Sequence, residues 1–248
     1  MPEGPSIVIL REQTEHFVGH EILRVEGNSK IDQSRLPGQT VVALRTWGKQ
    51  FLIELTGFSI RIHLLLFGSY RVDERKDVSP RLSLGFDNGE LNFYGCSVQF
   101  IEAPLDQVYD WKTDIMSEQW DAAAALKKLK AMPTALACDV ILDQNVFAGA
   151  GNIFKNEVLF RIRVHPLSQI GALPRAKLRE LVEQVHAYAF EFLEWKKAFV
   201  LKKHWQAHRQ NICPRCDIPF TKAKLGKNAR QSFFCEQCQK RYNSVSKK

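Results

Sequence analysis

The segment Leu142–Phe160, LDQNVFAGAGNIFKNEVLF, decides how this 248-residue chain is read. Leading into it, ALACDVILDQNVF carries apolar residues at Leu136, Val140, Ile141 and Phe147, a spacing that predicts a helix with one buried face. Gly149 is placed to end that helix in a left-handed conformation, and Gly151 gives the backbone a second freedom to turn. Asn152 stands where a capping side chain belongs, before a second helix from about Ile153 to Arg161. The expectation is therefore helix, Gly-x-Gly-Asn turn, helix. Glycines let a backbone approach a ligand closely, and the first amides of the second helix lack internal partners, so such a turn can bind a phosphate. It can equally be a plain joint between two packed helices.

Composition narrows the choice. With 45% hydrophobic residues the chain can bury a core, and its length leaves room for two domains or one plus a module. The net charge of +8 and pI near 9.2 point to a polyanionic partner. No run of about 20 uncharged apolar residues exists, which excludes a helical membrane span, and the start has no signal-peptide pattern. Four of the six cysteines fall in C-x-x-C pairs while Cys96 and Cys138 are isolated. That usage suits a metal site in a reducing compartment, so a cytoplasmic location, the bacterial cytoplasm and nucleoid, is expected.

The predicted fold class is α+β and multidomain. Ile7, Leu10, Phe17 and Val18 share one face of a helix from Ser6 to His20, capped by Ser6. From Glu21 to about Glu102 the chain runs in short β-rich segments: EILRVEG, TVVALRTW, QFLIEL, SIRIHLLL, GSYRV, RLSLGF and ELNFYG. Asp87-Asn88-Gly89 is a hairpin signal between two of them. A sandwich or barrel of about eight strands is predicted for residues 1–104. Residues 105–120 read as a polar connection. Residues 121–210 read as a helical domain holding AAAALKKLKAM (stopped by Pro133), the two helices around the Gly-x-Gly-Asn turn, and a long helix from about Pro174 to Lys202. Residues 211–243 form a cysteine module and residues 244–248 a basic tail.

Within that module, Cys213-Pro-Arg-Cys216 and Cys235-Glu-Gln-Cys238 stand 18 residues apart. Four thiolates at this spacing surround one Zn²⁺ tetrahedrally, and a closed Cys₄ shell is structural. So short a module has almost no core, and zinc binding, worth about 10–16 kcal/mol in zinc-finger peptides, is expected to supply its folding. At the other end, removal of Met1 would leave Pro2 as a free secondary amine. An α-amine has a pKa near ~8 against ~10.4 for lysine, so far more of it is unprotonated and able to attack a carbon.

AGAGNIFKNEVLF resembles the helix–two-turn–helix of the formamidopyrimidine-DNA glycosylase/endonuclease VIII family of base-excision repair enzymes. The Pro2-Glu3 start and the four-cysteine zinc finger match the same family, so the resemblance covers nearly the whole chain in order. It implies damaged double-stranded DNA as partner, one structural zinc, and a monomer. It implies Pro2 as the Schiff-base nucleophile, Glu3 as general acid/base, and Lys49, in RTWGKQF, as the catalytic lysine that binds phosphate and assists departure of the base. Arg230, five residues before Cys235, matches the hairpin arginine that holds the phosphates flanking the lesion, with Gly151 and Asn152 at the turn as further DNA contacts. Leu65, Leu66 and Phe67, in HLLLFG, match the wedge that fills the gap left by the flipped nucleotide; from spacing alone this run is as easily core.

Two positions depart from the family pattern: Ser6, where a second glutamate is common, and Ala229, where glycine is common. Only about ten residues, Lys202–Asn211, precede the finger, and the wedge lacks a methionine. Both features resemble endonuclease VIII-type members, which implies oxidised pyrimidines as substrates, removed with β,δ-elimination. The alternatives are a non-catalytic, zinc-dependent damaged-DNA-binding protein, which would retain Met1 or bury Pro2, and a zinc-stabilised RNA- or ribosome-associated protein.

Overall fold

The computed structural model describes residues 2–243; the expectations that fall on Met1 and on the tail 244–248 lie outside the described residues. The chain divides into two compact units between Trp111 and Lys112.

The first unit opens with α1 (Gly4–Thr14). Expected from Ser6 to His20, the helix instead begins two residues earlier, with Glu3 as its N-cap in an extended conformation and Pro5 in its first turn, where a missing N–H costs nothing. It stops at Thr14, whose Oγ1 donates to Leu10 O at 2.8 Å and so competes with the next helical bond. Eight strands follow: β1 (Arg24–Glu26), β2 (Ala43–Trp47), β3 (Gln50–Glu54), β4 (Ser59–His63), β5 (Ser69–Val72), β6 (Leu82–Gly85), β7 (Glu90–Tyr94) and β8 (Ser97–Ile101). They form two antiparallel four-stranded sheets, ordered β1-β6-β7-β5 and β2-β3-β4-β8. The sandwich is as predicted, and the Asp87-Asn88-Gly89 hairpin joins β6 to β7. Strand β8 was not among the seven β-rich segments: SVQFI lies directly behind Gly95-Cys96 and reads as the end of the preceding run.

Inward residues of both sheets, Phe51, Ile53, Ile60, Ile62, Leu82, Leu84 and Phe93 among them, bury one core together with Ile7 and Leu10 of α1. After β8 comes α2 (Leu105–Val108), followed by Tyr109 and Trp111, which pack with Leu52 in a small cluster of this unit. The polar reading of residues 105–120 missed this because the apolar anchors are spaced irregularly.

The second unit contains α3 (Ala122–Lys130), α4 (Ala137–Val140), α5 (Asn152–Arg161) and α6 (Arg175–Lys197), then the hairpin β9 (Thr221–Leu225) and β10 (Arg230–Phe234). Asp121 caps α3 by accepting from Ala123 N and Ala124 N, both at 2.9 Å. Phe154, Val158, Leu181, Val185, Tyr188 and Phe192 bring α5 and α6 together in its core. No helix among the described residues is long and apolar enough to cross a membrane.

Candidate functional site

In the first unit, Pro2 is half-buried and Glu3 has no exposed surface. Glu3 O accepts the Ser6 amide at 2.8 Å, so the helix start fixes the backbone on which both residues sit. Ser6 is half-buried one turn along.

Lys49 occupies the second position of a two-residue turn between β2 and β3, whose last pair is Trp47 with Gln50. Gly48 takes the first position at φ 57°, as a type II′ hairpin requires. Gln50 pairs in turn with His63 at the end of β4. Burial first, then the charges of Lys49 and Arg61, hold the His63 imidazole below its ordinary pKa. It is a neutral imidazole near the Lys49 cation, and the sequence assigns it no role because a single histidine in a strand carries no pattern.

Directly after His63 and the buried Leu64, the chain makes a tight apolar turn. Gly68 N donates to Leu64 O at 2.7 Å, and a Cβ on Gly68 would overlap the carbonyl oxygens of Leu64 and Gly95. Leu65 sits at φ 53°. Leu65 and Leu66 are each 48% exposed and Phe67 is 93% exposed. The alternative that this run is core is excluded: only Leu64 is.

In the second unit the Gly-x-Gly-Asn region differs from expectation in detail. The first helix ends at Val140, and residues 141–150 form successive turns. Gly149, at φ 100°, is left-handed as expected, but within this loop instead of at a helix end. Gln144 braces the loop: its Oε1 accepts from Gly149 N at 3.0 Å and its Nε2 donates to Leu142 O at 2.9 Å and Ala150 O at 3.1 Å. Gly151, extended at φ −134°, is the N-cap, and Asn152 is the first helical residue. The Asn152 amide therefore does not cap. Its Nδ2 donates to Gln231 O of β10 at 3.0 Å, which leaves its buried Oδ1 without a partner.

The same face of α5 continues this contact. Lys155, almost wholly buried, donates from Nζ to Ser232 Oγ at 2.8 Å, Gln231 O at 3.0 Å and Arg230 O at 3.4 Å. Asn156 Oδ1 accepts from Phe233 N at 3.2 Å. Residues 152, 155 and 156 have the spacing of neighbours on one helix face, and together they line the edge of β10. The β9–β10 turn is held as well, since Asp139 Oδ1 accepts from Lys227 N at 2.9 Å. Gly226 is needed there twice over, for φ 76° and because a Cβ would overlap that carboxylate. Ala229, three residues on, sits at φ 44° without a glycine's freedom. Arg230 follows at the first position of β10, half-buried and opposite Leu225.

The sulfurs of Cys213, Cys216, Cys235 and Cys238 all lie within 4.8 Å of one another. A tetrahedral metal–thiolate shell with bonds of about 2.3 Å spaces its sulfurs about 3.8 Å apart, and Cys213 and Cys238 stand 3.8 Å apart. Burial, then hydrogen bonding to Cys235 and Cys213, pushes the Cys238 thiol up to about 12. A group of thiols this crowded ionises together only around a cation, so the donor set fits a metal.

A metal bound there would not be the module's sole support. Phe160 of α5 packs with Ala207, Phe220, Cys213 and Cys235. Glu157, fully buried, accepts three backbone amides of the incoming chain: Gln206 N at 2.9 Å, Ala207 N at 2.9 Å and His208 N at 2.7 Å. Burial pushes the Glu157 carboxyl up and these three bonds oppose it. Sequence reading found neither Lys155 nor Glu157, because a charged residue inside NIFKNEVLF is expected to face solvent.

Residues 1–97 match the family model described as the formamidopyrimidine-DNA glycosylase N-terminal domain, and residues 112–201 match the formamidopyrimidine-DNA glycosylase H2TH domain. The chain is 27% identical over 238 residues to an endonuclease 8-like 3 of Xenopus laevis, a match covering 88% of this chain and 38% of that protein. It thus spans well under half the length of that relative. It is 28% identical over 271 residues to a formamidopyrimidine-DNA glycosylase of Acinetobacter baylyi, covering 96% of this chain and 98% of that one. A crystal structure of the Lactococcus lactis formamidopyrimidine-DNA glycosylase bound to DNA containing an AP site superimposes with a TM-score of 0.84. It is 22% identical and covers 96% of this chain and 100% of that one, a likeness of fold.

Proposed function

This chain belongs to the formamidopyrimidine-DNA glycosylase/endonuclease VIII family, and on that premise we propose that it is a DNA glycosylase and DNA-(apurinic or apyrimidinic site) lyase of base excision repair. The nucleophile is the secondary amine of Pro2, freed by removal of Met1. Its lone pair attacks C1′ of the damaged nucleoside as the glycosidic bond breaks, and the base leaves with the bonding electrons and takes up a proton. Glu3 delivers a proton to the sugar ring oxygen and afterwards shuttles protons. The iminium so formed acidifies C2′. Loss of that proton expels the 3′-phosphate, and a second elimination expels the 5′-phosphate.

Lys49, Asn152 and Arg230 hold the phosphates around the lesion, the last with a planar fork suited to paired oxygens. Gly151 sets the helix start on which Asn152 sits. Leu65, Leu66 and Phe67 fill the gap in the duplex. The group held by Cys213, Cys216, Cys235 and Cys238 is zinc, which fixes the hairpin and takes no part in the chemistry. Oxidised pyrimidines such as thymine glycol and dihydrouracil are the preferred substrates, in line with the methionine-free wedge and the short approach to the finger. The enzyme acts as a monomer, in the cytoplasm.

The observation that carries this reading is Glu3, a carboxylate with no exposed surface on the residue next to Pro2. A carboxylate shielded from water beside an amine nucleophile is placed to hold and pass on a proton, which is the role proposed for it. The test is to incubate metal-loaded protein lacking Met1 with a thymine-glycol duplex, an 8-oxoguanine duplex and an abasic duplex in borohydride. The expected product is a reduced adduct mapped by mass to Pro2, formed fastest on thymine glycol. The absence of an adduct on all three refutes the enzyme reading.

A further inference from the structure

Two phenylalanines among the described residues are more than nine-tenths exposed: Phe67 at 93% and Phe199 at 95%. Phe67 belongs to the wedge, whereas Phe199 has no part in the chemistry above. It lies just beyond α6, whose C-cap is Ala198. Phe199 N donates to Lys196 O at 3.1 Å and Val200 N to Trp195 O at 2.9 Å, the paired bonds of a Schellman ending. That ending puts residue 199 at φ 59°, where glycine is at ease and phenylalanine is strained. The ring recovers nothing by packing. Phe199 is therefore unfavourable on two counts, and strain held by surrounding structure clusters at ligand sites.

The surroundings indicate what the ring meets. No acidic residue occurs from Trp195 to Cys216, a stretch with Lys196, Lys197, Lys202, Lys203, Arg209 and Arg215. The first two suit the C-terminal end of the helix dipole. Lys202 and Lys203 lie past it, exposed on the short 3₁₀ turn Leu201–His204. That turn is clamped, with His204 stacked on Trp195 at 4.1 Å and 1° between the planes. An exposed aromatic ring on a rigid turn among lysines is the arrangement that grips a strand whose bases are unstacked.

We infer that Phe199 is a stacking platform for an exposed nucleobase of DNA, with Lys202 and Lys203 on the neighbouring phosphates. The inference rests on the DNA-processing reading and deepens it: the protein engages single-stranded segments as well as duplex. A base inside an intact duplex has no free face for the ring, so the contact discriminates between the two.

The test compares the metal-loaded full chain with its Phe199→Gly and Phe199→Trp variants. The readouts are thermal melting, binding to a fluorescent single strand and to an abasic-analogue duplex, and elution volume. Phe199→Gly is expected to melt about 2–4 °C higher, since glycine relieves the strain. It is expected to bind the single strand about five- to fiftyfold more weakly and the duplex within about twofold of wild type, while Phe199→Trp keeps wild-type binding. Unchanged single-strand binding, an equal loss on both DNAs, or a wild-type dimer that Phe199→Gly converts to monomer overturns the inference. Borohydride trapping of the wild type on duplex is read separately, so the enzyme reading stands or falls independently.

Discussion

Glu157→Gln changes one carboxylate oxygen into an amide nitrogen and leaves the volume of α5 almost unaltered. In the native protein both oxygens accept: Oε1 from Ala207 N and His208 N, Oε2 from Gln206 N. Whichever way the new amide turns, its NH₂ faces a backbone N–H. The better orientation keeps the carbonyl on the shorter pair and opposes the nitrogen to Gln206 N. One donor then loses its acceptor, at about 1–3 kcal/mol, and two charge-assisted bonds become neutral ones. The expected loss is about 2–4 kcal/mol, or roughly 6–12 °C in melting temperature for a unit of this size. Glu157→Ala orphans all three amides and costs more. Calorimetric melting of the metal-loaded protein, with metal content measured alongside, tests this. A Glu157→Gln protein that keeps its metal and melts within about 2 °C of wild type would show that the three bonds do not anchor the approach to the cysteine module.

Three further outcomes are expected. Gly68→Ala forces a Cβ against two carbonyl oxygens and should destabilise the sandwich by about 2 kcal/mol or more, read by urea unfolding; a neutral result would mean the turn before β5 is pliable. Ala229→Gly relieves φ 44° and should gain up to about 1 kcal/mol, seen as slower metal loss to a chelator, whereas faster loss contradicts the strain. His208 is buried, with Nδ1 on Asn156 Nδ2 at 3.0 Å, and burial first, then Arg209 and Lys155, lowers its pKa to about 4. The unfolded chain, protonating near ~6.5, binds the proton first, so stability falls as pH drops from about 6.5 to about 4, by about 3 kcal/mol in all. Stability curves of wild type and His208→Gln should diverge across that window only, and parallel curves refute the assignment.

Much of the architecture is legible because it follows from periodicity and spacing. Alternating β-rich segments gave the sandwich, and two C-x-x-C pairs gave the cysteine cluster. What escaped reading was whatever depends on a partner far along the chain. Asn152 looks like a cap from its neighbours alone, yet its amide is taken by Gln231, 79 residues away. Lys155 and Glu157 look like solvent-facing positions, because nothing local reveals that the module covers them. The first helix of the turn is shorter than its apolar spacing predicts, for the opposite reason: the spacing continues through Phe147, but the buried residues there sit on turns braced by Gln144. Capping propensity favours Ser6 as the start of α1, yet the helix starts after the buried Glu3, an ordering that packing decides and propensity does not.

The side chains of Asn152, Lys155 and Asn156 along β10 have a consequence for how the finger would gain and lose a metal. A two-stranded hairpin is marginal in isolation, and here the helix supplies what amounts to a third strand made of side chains. The hairpin is thus fastened by two independent means, one of which does not leave with the ion. Stripping the metal should free the knuckles at Cys213–Cys216 and Cys235–Cys238 while β10 stays docked, so that reloading is a local event and not a refolding. The outer edge of β10, which would otherwise invite pairing with another chain, is occupied by these side chains whether or not an ion is bound.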